Sequence, residues 1–208
     1  MPESESRDIG STLPGHYGGA ATGTVIGAAT IAAAWNLQGD PARSSVVADA
    51  ERLFGASLPL DPNTARHTQG LLVLWMGPRS WLLIDRGAAR PPASLADFEA
   101  RRDDLNARGS ALFDVSASRV AFTVRGERAP SVLAANCPLD VDARVFLPGR
   151  CAQSLFGRVT ALYYRHQQAP AVTVMVSRSL AVDVWHGLCL AAASDGYDVA
   201  LPAAFDAV

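Results

Sequence analysis

Few side chains in this chain are of a type and spacing that could do chemistry. Cys151 follows Arg150 and precedes Ala152-Gln153. A thiol nucleophile needs a neighbouring base or a positive field, and Arg150 supplies only the field, so a packed thiol is preferred. Asp114, Ser116 and Arg119 lie close together. They make either a small polar ligand site or, the preferred reading, a turn in which the acid satisfies backbone donors and pairs with the arginine. His16, His67, His166 and His186 are scattered, with no HxxxH or His–carboxylate pair at ligand spacing. His186, beside Trp185, is a flavin or metal partner or, preferably, a polar residue at the edge of a packed helix. No GxGxxG follows a strand, since Gly15, Gly18, Gly19 and Gly23 fall in an irregular stretch; this argues against a dinucleotide site. All 18 basic residues are arginine, which excludes Schiff-base and lysine-base chemistry.

Charge is unevenly placed. No Asp or Glu occurs between Asp142 and Asp183, a run that holds Arg144, Arg150, Arg158, Arg165 and Arg178. Two readings stay open: a face that meets an acidic partner or a polyglutamate tail, or a solvated rim balanced by other segments. Trp75 and Trp81 flank a hairpin, where aromatic pairs serve as core or interface anchors.

With 208 residues the chain can bury one substantial core, or two small lobes sharing one. The apolar fraction of 49% and charged fraction of 18% are those of a soluble globular protein. A formal charge of -2 gives no case for nucleic acid or a membrane as partner. Cys137, Cys151 and Cys189 are odd in number and lack a CxxC pair, which fits buried thiols in a reducing compartment. The uncharged stretch from Gly18 to Ala34 is built of Gly, Ala and Thr and is preceded by Glu3, Glu5 and Asp8, unlike a signal or membrane segment. It reads as a loose arm over 1–24 entering a first strand. Ala32-Ala33-Ala34 leaves a cleaved signal as the lesser alternative.

The elements that must position these residues follow from periodicity. Ile31 to Leu37 reads as a strand, and Asp40-Pro41 as N-cap and first position of a helix with Val46, Val47, Ala50, Leu53 and Phe54 inward, closed by Gly55. Pro59, Pro62 and Asn63 mark a loop. Leu71 to Met76 and Trp81 to Asp85 form a hairpin across Gly77-Pro78-Arg79-Ser80. After the Pro91-Pro92 break, Ser94 with Asp97 signals a helix to about Arg108, stopped by Gly109, and Ala111 to Val115 is a strand. The order then repeats. Arg119 to Arg125 alternates as a strand with one buried face, Val120, Phe122 and Val124. Glu127 to Asn136 is a helix with Pro130 in its first turn, and Val159 to Tyr164 with Ala171 to Val176 a hairpin. Ser177 caps a helix with Leu180, Val184, Leu188 and Cys189 inward, and Tyr197 to Leu201 is a last strand. The expected fold is α+β: two βαββαβ-like lobes, about 30–116 and 117–201, sharing one core within a single domain over 25–208.

Seven segments, in order, carry a family resemblance. They are Asn36 to Pro41, Leu60 to Thr64, Trp75 to Pro78 with Trp81 to Leu83, Asp114 to Ser116 with Arg119, Cys137 to Asp140, Pro148 to Gln153, and Trp185-His186. Together, over roughly residues 35–195, they resemble the gamma subunit of heterotetrameric sarcosine oxidase. That family is similar in fold to the folate-binding domain of glycine-cleavage aminomethyltransferases and their iron-sulfur-assembly relatives. The resemblance implies a cytoplasmic complex with alpha, beta and delta subunits that oxidatively demethylates sarcosine to glycine, with hydrogen peroxide and formaldehyde or methylene-tetrahydrofolate as further products. It implies that FAD, FMN, NAD, tetrahydrofolate and zinc are held by partner subunits, none by this chain, and that alpha is the most direct neighbour. Gly157-Arg158-Val159-Thr160 stands where aminomethyltransferase relatives place a catalytic carboxylate after a glycine turn, and it has none. Cys151-Ala152-Gln153 resembles the KGCYxGQE loop of the iron-sulfur-assembly relatives without its Lys and Glu. Both departures favour a non-catalytic subunit, with Trp75, Trp81, Asp114, Ser116, Arg119, Arg150, Arg158 and Trp185 as structural or interface residues. The alternative is a stand-alone folate-binding or aminomethyltransferase-like protein.

Overall fold

The computed structural model describes residues 13–21, 23–68, 70–85, 95–168 and 170–205. Its strands are β1 Gly15–Tyr17, β2 Val25–Thr30, β3 Ala33–Gln38, β4 Ala65–Thr68, β5 Leu71–Gly77, β6 Ser80–Asp85, β7 Ala111–Asp114, β8 Arg119–Arg125, β9 Cys151–Phe156, β10 Val159–Arg165, β11 Ala171–Ser177 and β12 Tyr197–Ala204. Its helices are α1 Val46–Phe54, α2 Leu95–Ala107, α3 Ala129–Ala134 and α4 Ala181–Ala192.

The strands form two sheets, β1-β12-β2-β8-β11-β10-β9 and β4-β5-β6-β3-β7. Set side by side, β9-β10-β11-β8 followed by β12 repeats the order β4-β5-β6-β3 followed by β7. The difference is β2, which lies between β8 and β12 and runs parallel to β12. The order expected from periodicity is therefore present in both halves, each enlarged by a strand, β4 or β9.

Three cores lie between four layers. α3 and α4 cover the outer face of the larger sheet through Phe122, Val124, Leu133, Val184, Trp185 and Leu188. α1 and α2 cover the smaller one through Leu37, Val46, Phe54, Trp81 and Leu105. The inner faces meet through Ala34, Leu72, Leu82 and Ile84 on one side and Ala121, Cys151, Leu162, Tyr164 and Met175 on the other. This corrects the one-faced reading of β8. Ala121 and Thr123 are buried as well as Phe122 and Val124, because both faces of the strand are packed, with Thr123 at the margin of the inner one.

Several local expectations change. Asp40 does not cap the helix. It accepts Ala42 N–H at 3.0 Å in a separate turn, and the helix starts at Val46 after Ser45. Gly55 closes it with φ 62°, in the left-handed region. The hairpin turn is Pro78-Arg79, shorter than the four residues expected, because Gly77 and Ser80 pair across it. Leu180 points outward, since a single 3-10 turn, Arg178–Leu180, precedes α4 and takes it off the helical stripe; the Ser177 side chain makes no cap bond. The stretch read as a loose arm contributes β1, paired with β12, and the segment after it contributes β2. The Pro91-Pro92 break and Ser94 of the expected capping box lie outside the described residues.

At the outer end of the larger sheet His16 bonds to two acceptors. Nδ1 lies 3.0 Å from Asp198 Oδ1 and Nε2 2.7 Å from the Gly19 carbonyl. A carboxylate and a carbonyl can both be satisfied only by the doubly protonated ring. Those bonds, to Gly19 and then Asp198, raise the His16 pKa above its ordinary value. The β1 attachment should therefore be firm at acidic pH and weaken as pH rises through that raised pKa. Hydrogen exchange at Gly15–Tyr17, followed between pH 5.5 and 8.5 (about the range around an ordinary histidine), should show protection falling with pH after correction for intrinsic rates. In a His16→Gln variant the pH dependence should disappear.

Candidate functional site

The segments shared with the resembled family are places where the two sheets and their loops are tied together. Thr64 bridges Arg150. Cys151 N–H donates to Asn63 O at 3.1 Å, Ala65 N–H to Gly149 O at 3.1 Å, and Trp75 N–H to Thr64 O at 3.0 Å. Cys151 Sγ lies 3.3 Å from Thr64 O and 3.5 Å from Trp75 O, and Gln153 Nε2 donates to Met76 O at 2.7 Å. Loop 60–64, the β5 end and the 148–153 segment thus form one knot between the sheets. Within it Cys151 is fully buried, and burial pushes its thiol up to about 11, far from thiolate chemistry at neutral pH.

The other shared segments act similarly. Asp40 pairs with Arg79 at 2.9 Å, and Asn36 Nδ2 donates to Ser80 Oγ at 2.9 Å and Trp81 O at 3.1 Å, which fixes the β5–β6 turn against β3. Trp81 is fully buried and its Nε1 donates to Pro59 O at 2.7 Å; Trp75 is half-buried. Trp185 packs on Phe122 with ring centroids 5.4 Å apart, and His186 beside it is exposed. Asp114 Oδ1 accepts Ser116 N–H at 2.9 Å and lies 2.6 Å from Ser116 Oγ, which in turn accepts Ala34 N–H at 2.9 Å. The turn joins β7 to β3, but the expected pairing with Arg119 is not made. Arg119 has no ion pair among the described residues, and burial lowers its guanidinium pKa.

The arginines of the acid-free run have separate environments. Arg144 pairs with Asp142, and the bond from Arg144 holds that carboxyl at about 2. Arg165 is buried, donates to Val141 O at 2.6 Å and lies over the Phe146 ring. Arg178 donates to Ala117 O at 2.6 Å. Arg150 and Arg158 are exposed, at opposite ends of β9, and neither has an ion pair among the described residues.

A polar group that runs from exposed His67 inward between the sheets escaped the sequence reading. His67 Nε2 bonds the Tyr164 hydroxyl, and the His166 ring lies 4.9 Å from Tyr164. His166 Nε2 bonds Thr173 Oγ1 at 2.7 Å, and Thr173 Oγ1 lies 3.3 Å from Thr123 Oγ1. Thr123 opens with Arg125 onto a shallow groove floored by Gly27, Ala29 and Ala200. His67 and His166 are far apart in sequence, and the position of β4 beside the end of β10 brings them to one tyrosine. The bonds described within this group run through imidazole and hydroxyl groups. Among the described residues no three His, Cys, Asp or Glu side chains are placed to hold a metal.

The fold is one seen in aminomethyltransferases and in heterotetrameric sarcosine oxidase. The chain aligns with the glycine cleavage system aminomethyltransferase T of Bartonella henselae at TM-score 0.60 and 12% identity, covering 88% of this chain and 48% of that one. It aligns with a chain of heterotetrameric sarcosine oxidase from Corynebacterium sp. U-96, in complex with pyrrole 2-carboxylate, at TM-score 0.73 and 20% identity, covering 86% of this chain and 88% of that one. In sequence it is 29% identical over 112 residues to sarcosine oxidase subunit gamma of Corynebacterium sp. strain P-1, covering 53% of this chain and 52% of the relative. It is 28% identical over 113 residues to the gamma subunit of Arthrobacter sp., covering 54% and 53%. In these sequence matches the chain spans about half the length of the curated relatives. No family model matches.

Proposed function

We propose that this chain is a gamma-type subunit of a heterotetrameric sarcosine oxidase, without catalytic residues of its own. The observation that carries the proposal is fold agreement with a chain of such an oxidase over 86% of this chain and 88% of that one, together with sequence similarity to gamma subunits. The local chemistry supports it. Gly157-Arg158 is a two-residue turn that carries no carboxylate, and the Cys151 thiol is sealed in an inter-sheet knot. On this reading the alpha, beta and delta subunits of a cytoplasmic complex hold FAD, FMN, NAD, tetrahydrofolate and zinc. The chain then supports the assembly that demethylates sarcosine, packing most directly on alpha.

Co-expression with the flavin-bearing chains tests this. Sarcosine-dependent hydrogen peroxide formation should require this chain for a stable, active particle. An assembly equally active and stable without it would contradict the proposal. The aminomethyltransferase likeness favours a second reading, a stand-alone folate-binding protein. Calorimetry on the isolated chain separates the two, since micromolar tetrahydrofolate binding would support the second.

A further inference from the structure

β9 is an edge strand with β10 as its sheet neighbour. The two-residue turn Gly157-Arg158 makes Phe156 and Val159 the bonded pair, so alternation turns the backbone groups of Cys151, Gln153 and Leu155 outward. Two of these groups are used: Cys151 N–H bonds Asn63 O at 3.1 Å, and Leu155 O accepts the Tyr163 hydroxyl at 2.8 Å. The N–H and C=O of Gln153 and the N–H of Leu155 meet no partner among the described residues outside the sheet. The 60–64 loop covers the start of this edge, but beyond it the strand contains neither charge nor proline, two usual guards against strand pairing. On the strand Leu155 is 45% exposed, and Leu147, near the strand entrance, is 46% exposed. Leu147 is tied to the strand entrance through Arg150 N–H at 3.1 Å.

Charge frames the edge. Arg150 precedes β9 and Arg158 follows it, both exposed and without an ion pair among the described residues. The acids nearest in sequence are Asp142, held by Arg144, and Asp140. Asp61 sits in the loop tied to Arg150 and moderates the charge at that end only. A six-residue strand at about 3.3 Å per residue sets the two ends of the edge, one preceded by Arg150 and the other followed by Arg158, about 20 Å apart.

Building on the subunit reading, we propose that the free edge of β9 takes up an extended segment of a partner polypeptide, apolar at its centre and bearing carboxylates at both ends. Main-chain bonds to Gln153 and Leu155 would supply affinity, and the two arginines would set register. The test is co-purification of the partner chains with the wild type, an Arg150→Glu/Arg158→Glu variant, a Leu155→Pro variant and a Leu190→Glu control on α4. Both β9 variants should lose about tenfold or more in affinity, and wild-type binding should weaken with salt; the control should bind normally. Charge reversal at exposed positions leaves the fold intact, so it decides the matter even if Leu155→Pro unfolds. Normal assembly by the charge-reversed variant removes the docking surface alone. Failure of the wild type to assemble removes the subunit reading and this inference together.

Discussion

Replacing Trp81 with alanine should cost about 3–5 kcal/mol of folding stability, the range for emptying a large buried aromatic site. Trp81 is fully buried against the helices of the smaller sheet, with Leu37, Val46, Phe54 and Leu83 in the same core. Its indole N–H also holds the Pro59 carbonyl at 2.7 Å, which ties the loop before the inter-sheet knot to β6. The two contributions separate by substitution. Trp81→Phe keeps most of the ring volume but leaves the carbonyl unsatisfied, and should cost about 1–3 kcal/mol. Urea unfolding of the three proteins gives both numbers. A Trp81→Ala midpoint near that of the wild type would mean that Trp81 is a surface anchor, not a core residue.

Alanine at Gly126 should be nearly as damaging, for a different reason. Gly126 ends β8 with φ 104°, and a Cβ there would lie 1.6 Å from the Gly23 carbonyl oxygen. That neighbour is backbone at the entry to β2 and cannot rotate aside, so β2 must shift or Gly126 must change conformation. Left-handed strain of about 1–2 kcal/mol and overpacking of about 1–3 kcal/mol place the loss near 3 kcal/mol. Gly109 is the control, with a similar φ of 81° but nothing within 4 Å of an added Cβ. Gly109→Ala should lose only the conformational part, about 1–2 kcal/mol. Equal losses at the two positions, measured by denaturant midpoint, would show that the crossing at Gly23 is not tight.

Elements with a strong local pattern were legible in the sequence. Val46, Ala50 and Phe54 mark one face of α1 and Gly55 its end, and the apolar runs around Gly77–Ser80 mark the β5–β6 hairpin. The strands that were missed lack such a pattern. β4 is Ala-Arg-His-Thr, and β9 begins at a segment that read as a family motif; each is a strand because the adjacent hairpin offers it an edge. β2 was hidden by its glycine and alanines, yet those small residues lie between β8 and β12 and floor the groove beside Thr123. At the site, sequence identified the Asp114 turn, whose partner Ser116 is local, and singled out Cys151, whose partners Asn63, Thr64 and Trp75 lie in distant segments. Sequence could not show that Arg165 and Arg178 are tied to carbonyls while Arg150 and Arg158 are not, because those carbonyls come from distant segments.

Native mass spectrometry of this chain co-expressed with the flavin-bearing oxidase chains tests the account most directly. The prediction is one copy of the chain in a particle whose mass sums all four kinds of subunit, with the flavin signal leaving the isolated chain empty. Recovery of the chain alone, carrying a flavin or a reduced folate held by its own side chains, would contradict it.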